Sequence, residues 1–159
     1  MHIRIVCVGK LKEPYFLAAE AEYRKRIARF SPVEVVEVAD EPAPETLSGA
    51  QRRQVMAREA RRLLERIRPD EHVIALCVGG MRRTSESFAA RLASLRDAGT
   101  RTVTFVIGGS LGLAQEALSR AAETLSLSDM TMPHRIARLV LLEQVYRAHK
   151  INAGEPYHK

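Results

Sequence analysis

The chain has 159 residues, 46% apolar and 28% charged, with 25 Lys and Arg against 19 Asp and Glu and a net charge of +6. That length suits one folding unit with a real core, and the mixture excludes a disordered chain or a disulfide-dense miniprotein. No apolar run reaches the roughly 18 residues of a membrane span, and the opening apolar stretch is too short for a secretory leader, so a cytoplasmic protein is expected.

Residues 3–8 are a continuous apolar run and predict a buried strand. Helical spacing follows over 14–30, with Pro14 in the first turn. The valine-rich residues 33–38 predict a second strand, and 40–49, with Pro42 and Pro44, a loop. Over 50–68, Met56, Ala60, Leu63, Leu64 and Ile67 share one helical face while arginines take the rest; Pro69 stops the helix. A third strand is expected over 72–78, then a turn at Gly79 and Gly80, then a helix over 86–96 capped by Ser85 and closed by Gly99. A fourth strand over 101–107 runs into the glycine-rich stretch 108–112. A helix over 114–123, a short strand over 125–128 and a long helix from Pro133 to Lys150 complete the pattern, before a polar tail over 152–159.

The alternation predicts an α/β fold: one domain over 1–159, built on a mostly parallel sheet with helices on both faces. Ligands of such sheets bind at the carboxyl ends of strands, which directs attention to the turns after Val78, Ile107 and Ser128. The glycines at 108, 109 and 112 let a backbone approach a ligand, although a plain strand-to-helix turn gives the same pattern. No glycine-rich dinucleotide fingerprint follows the first strand and no phosphate-loop motif occurs. His2, His72, His134, His149 and His158 lack metal-ligand spacing and no C-x-x-C is present, so no metal is expected. Cys7 and Cys77 lie inside apolar runs and are expected as packed free thiols.

Charge is concentrated. Arg52, Arg53, Arg58, Arg61, Arg62, Arg66 and Arg68 stand against Glu59 and Glu65, a cluster that suits a polyanion partner through counterion release, or else an ordinary solvated helix face. The chain ends in Tyr157-His158-Lys159, which puts a phenol, an imidazole and an ammonium in series. This is either a frayed terminus or a segment that brings proton-transfer and anion-stabilising groups to the strand ends.

Several strings, in order, resemble one family. They are the 105–113 segment around Gly108-Gly109-Ser110-Leu111-Gly112, the 125–134 segment Leu-Ser-Leu-Ser-Asp-Met-Thr-Met-Pro-His, Glu143-Gln144-Val145-Tyr146-Arg147-Ala148, and the ending Gly154-Glu155-Pro156-Tyr157-His158-Lys159. Together they resemble the RlmH family of ribosomal RNA methyltransferases in the SPOUT superfamily, over essentially the whole chain. The resemblance implies a homodimer with a trefoil knot in the C-terminal half. It also implies S-adenosylmethionine as donor and methylation of N3 of a pseudouridine in helix 69 of 23S rRNA, in the large ribosomal subunit or the assembled ribosome. It further implies a cofactor pocket formed by Leu76, Gly108, Leu127, Ser128, Asp129, Met130, Thr131 and Met132, with no metal.

The implied chemistry is an in-line displacement at a sulfonium, in which the methyl must be held in line and the imide proton must leave. In that scheme His158 is the proton acceptor or relay, Tyr157 positions it, and Lys159 or Arg135 meets phosphate. Two positions depart from many relatives, Cys77 where they carry an acid and Met81 where they carry Lys; Arg82 or Arg83 is the replacement charge. A ribosome-binding protein without catalysis and an unrelated flavodoxin-like enzyme are the competing classes.

Overall fold

The structure is a computed structural model that describes residues 1–157. Its strands are β1 (His2–Val8), β2 (Val33–Val38), β3 (His72–Arg82), β4 (Thr102–Ile107) and β5 (Glu123–Ser126). They form a parallel sheet in the order β2-β1-β4-β3-β5. The helices are α1 (Pro14–Ile27), α2 (Gly49–Leu64), α3 (Ser85–Asp97), α4 (Gln115–Arg120) and α5 (His134–Asn152).

The central strands read as unbroken apolar runs because both of their faces are covered. In β1, Ile3, Ile5 and Cys7 pack with Ile27 of α1, Phe88 and Leu92 of α3, and Leu141 and Val145 of α5. Val6 and Val8 point the other way, toward Leu63 of α2. Crossovers that carry α1 and α3 step along the sheet in one direction, and those that carry α2 and α4 step back over the opposite face. All four therefore share one hand, as parallel crossovers do.

Buried charge ties the layers together. Arg138 of α5 is 3% exposed and pairs with Glu20 of α1 and with Glu37 of β2, the latter at 2.8 Å. Truncating Arg138 would strand two carboxylates, a large penalty for a buried group. Across the sheet, Glu71 bridges Arg4 of β1 and the Thr104 hydroxyl of β4, which donates at 2.7 Å.

The structure moves several predicted boundaries: α1 ends at Ile27 and α2 at Leu64, each short of its expected end, and four others have a visible local cause. Ser48 and Gln51 form a reciprocal capping box that starts α2 at Gly49. Thr84, not Ser85, caps α3, its hydroxyl accepting the Ser87 N–H at 3.2 Å. Gly79 and Gly80 do not end β3: Leu76 and Met81 both face Leu125 of β5, so residues 77–80 loop out and the strand then resumes. Gly80 permits the return, because a Cβ there would lie 2.7 Å from the Leu125 carbonyl carbon. Finally, α4 stops at Arg120 and β5 begins at Glu123. The Ala122 N–H donates to the Val73 carbonyl at 2.9 Å, while His72, Arg83 and Arg91 hold the Glu123 carboxylate beside β3. Leu127 and Ser128 consequently lie beyond the strand.

Candidate active site

The carboxyl ends of β3, β4 and β5 enclose a cavity of about 200 Å³. Each wall has its own local cause. The looped-out segment of β3 supplies Leu76, Cys77 and Val78. The turn after β4 is closed by the Gly112 N–H donating to the Gly109 carbonyl at 3.1 Å, with Gly112 at φ +87°. Gly108 is needed there because a Cβ would lie 2.4 Å from the Gly112 carbonyl oxygen. The space a side chain would take at Gly108 therefore belongs to the turn's own backbone.

The third wall follows β5. The Ser126 hydroxyl donates to the Ser128 carbonyl, and the Ser128 hydroxyl accepts the Met130 N–H, both at 3.0 Å. These two bonds shape the segment that leads to α5. Of the eight residues expected in a cofactor pocket, Leu76, Gly108, Leu127, Ser128, Met130, Thr131 and Met132 line the cavity. Asp129 does not line it; its carboxylate pairs with Arg82 on the rim. Met81 is 57% exposed just before that arginine, so a positive charge is present one residue along from the departing position. Apolar side chains such as Leu76 and Leu127 suit the faces of a flat ring, and turn backbone suits its polar edge.

Cys77 corrects the expectation of a packed core thiol: it is half-buried and lines the cavity, because the segment that carries it loops out of β3. Burial raises its proton affinity, so it stays a thiol. Cys7 is buried as expected, and burial pushes its thiol up to about 12.

Two titratable groups, one lining the cavity and one behind its glycine turn, are given no site role by the sequence. His134 opens α5 and lines the cavity, with Nε2 placed so that a Cβ at Gly9 would lie 3.1 Å away. Burial lowers its proton affinity, Arg135 and Arg138 lower it further, and Asp40 opposes them. Glu59 of α2 lies under the glycine turn, where a Cβ at Gly109 would come within 2.7 Å of its Oε2. Its Oε1 accepts the Glu41 N–H at 3.0 Å, Oε2 is buried without a partner, and burial favours its protonated form. In the sequence His134 is tested for metal spacing and closes one of the family-like strings without a role, and Glu59 only offsets an arginine. Strand order is the missing signal in both cases.

The tail residue Tyr157 is not at this cavity. It packs edge-on against Tyr146 with ring centroids 4.9 Å apart, and Arg147 covers its ring at 4.7 Å. Its hydroxyl donates to Glu143 at 3.1 Å, and burial with the nearby Glu143 pushes the phenol up to about 12. Glu143 and His134 are nine residues apart on α5, about 14 Å along the axis. His158 and Lys159 lie outside the described residues. Arg135 pairs with Glu13 at the start of α1.

On α2, Arg58 and Arg62 are engaged by Glu41, Arg61 pairs with Glu65, and Arg52 donates to the Leu47 and Glu45 carbonyls. The helix is less freely cationic than its sequence suggests. Among the described residues no cluster of His, Cys, Asp and Glu could hold a metal, and no helix is long and apolar enough to cross a membrane.

Known proteins resemble this chain over its length. A relative from Lactobacillus delbrueckii subsp. bulgaricus is 52% identical over 159 residues, all of both chains, and is named ribosomal RNA large subunit methyltransferase H. Relatives from Bacillus thuringiensis and Bacillus anthracis bear the same name at 53% identity over the same full length. The family model described as "Predicted SPOUT methyltransferase" matches residues 1–158, and the chain belongs to the SPOUT methyltransferase family.

Proposed function

We propose that the protein transfers a methyl group from S-adenosylmethionine to N3 of a pseudouridine in helix 69 of 23S rRNA, in the large ribosomal subunit or the assembled ribosome. The observation that carries this reading is the convergence of Leu76, Gly108, Leu127 and Met132, from three strand ends, on one cavity. The relatives named ribosomal RNA large subunit methyltransferase H support the class of substrate. Family membership supports a trefoil knot in the C-terminal half and a cytoplasmic site of action. The donor supplies an electrophilic methyl on a cationic sulfur. The protein's share is to sandwich the donor between Leu76 and Leu127, to give it the turn backbone at 108–112, and to accept the imide proton, a role we assign to His158 with Tyr157 positioning it.

The working unit in this reading is a homodimer. Tyr157 is docked about 14 Å along α5 from its own cavity. A tail held there serves a second subunit's cavity more readily than its own. Most of the apolar arc of α5 is covered within the chain, but Ile136 remains 42% exposed, and Tyr15 and Leu17 of α1 are more exposed still. The Glu13–Arg135 pair joins the starts of these two helices, so exposed apolar side chains of both lie near one edge that a partner can cover.

Purified ribosomes from a strain lacking the protein, incubated with it and methyl-labelled donor, test the reaction. Label is expected in helix 69 at N3. Binding to ribosomes without transfer would overturn the catalytic reading, and no ribosome binding would overturn the substrate as well.

A further inference from the structure

The cavity wall includes a titratable side chain beyond the eight expected residues, His134 at the start of α5. Strands β1 and β4 are neighbours, yet the helix after β1 covers one face of the sheet and the helix after β4 covers the other. Such a divergence opens a crevice at the strand ends. Gly9 follows β1 there at φ +84°, and the His134 imidazole lies against it. An ordinary side chain at Gly9 would both strain the backbone and crowd Nε2.

The His134 ring makes no hydrogen bond to any described residue, although it is half-buried and lines the cavity. A neutral imidazole has one donor and one acceptor, and here both stay open to the cavity instead of being taken by the protein. The ring is thus a polar group held ready inside a ligand cavity. The charged groups facing it are Arg135 and Arg138 on α5 and Asp40 after β2; burial and the two arginines favour its uncharged form, and Asp40 opposes them.

We propose that His134 is a donor-binding residue: its uncharged imidazole contacts the methyl donor where the start of α5 meets the cavity, and its protonated form rejects the cationic donor while still accepting the uncharged-sulfur product. The inference rests on the reading of the cavity as a methyl-donor site. Its physical content is a charge filter. S-adenosylmethionine carries a sulfonium and S-adenosylhomocysteine a thioether, and the two otherwise share their shape. A cation beside the sulfonium in a partly buried cavity repels it far more than it would in water. By linkage, a bound sulfonium in turn makes His134 harder to protonate.

Calorimetry with both ligands at about pH 7.5 and about pH 5 tests this on wild type, His134→Gln and His134→Ala. Gln keeps a donor and an acceptor but does not titrate. Wild type is expected to lose roughly three- to tenfold in S-adenosylmethionine affinity at the lower pH, and less than about twofold for S-adenosylhomocysteine. His134→Gln should bind both ligands within a few-fold of wild type and lose most of the donor's pH dependence. His134→Ala should weaken both ligands by about fivefold or more at either pH, as for a missing hydrogen bond. Ring proton resonances of His134 should titrate at lower pH with the donor bound than with the product bound. A parallel loss of both ligands on acidification, or wild-type affinity and pH dependence in both variants, would overturn the charge filter. Failure of wild type to bind either ligand at about pH 7.5 would overturn the donor reading itself.

Discussion

The two ends of α5 each carry a half-buried histidine, and they differ in what surrounds it. At the carboxyl end, His149 stacks on Phe30 with ring centroids 5.5 Å apart and planes 3° apart, and its Nε2 meets the Ser31 hydroxyl at 3.0 Å. Burial pushes it down to about 4. At the amino end, His134 faces a cavity with no hydrogen-bond partner among the described residues. Burial and lowered proton affinity are common to both, so neither marks function. What separates them is that the protein supplies a partner for Nε2 of one ring and leaves the other ring open to the cavity.

The carboxyl end can be challenged hardest through the tail docked on it. Removing residues 155–159 should abolish methyl transfer while the sheet stays folded, because Tyr157 contributes only peripheral packing on α5. His158→Ala alone should lower kcat by roughly 10²–10⁴-fold, the range for a missing acid–base group, with little change in donor affinity. A heterodimer of one truncated subunit and one Gly108→Val subunit should regain activity if the tail serves the partner. Inactivity in a verified heterodimer would return the tail to its own subunit.

The amino end depends on the neighbouring glycine turn. Gly108→Val should eliminate measurable donor binding and also lower Tm, since the branched side chain collides with the Gly112 carbonyl and not with a ligand. Loss of binding with an unchanged Tm would place the side chain in the ligand space instead.

His149→Ala is expected to do the opposite of His134→Ala. It should cost about 1–3 kcal/mol of stability through poorer packing and an unmatched Ser31 hydroxyl, with donor affinity unchanged. Wild-type stability should also fall as pH drops from about 6.5 toward 4. The unfolded ring binds a proton over that window while the folded ring stays neutral, so the contribution is complete above the unfolded value. His149→Ala should flatten that slope in denaturation curves.

The smallest effect is expected on α2, outside the comparison. Arg53→Glu and Arg61→Glu together should weaken ribosome binding several-fold and reduce its salt slope by roughly one for each phosphate no longer neutralised. Neither should alter donor affinity. An unchanged slope would make this a solvated helix face.

Strand and helix order are legible in the sequence because buried parallel strands and amphipathic helices write different periods into the chain. The resemblance points to the loops after β3, β4 and β5 without giving their geometry. The β3 excursion is not legible, since Gly79-Gly80 reads as a terminal turn unless Leu125 is known to lie beneath it. The start of β5 is hidden because residues 121–123 look helical until His72, Arg83 and Arg91 are seen to gather Glu123. The roles of His134 and Glu59 are not legible, although His134 closes a family-like string, because each meets its glycine only through the fold.

The carboxylate under the glycine turn has a consequence for sequence drift. Glu59 occupies the volume that a side chain at Gly109 would claim, although fifty positions separate them. The two sites are therefore sterically coupled through the end of one side chain. Among descendants of this chain, Ala or Ser at 109 should be enriched where 59 carries a shorter residue, and a random library should recover the two substitutions together more often than separately.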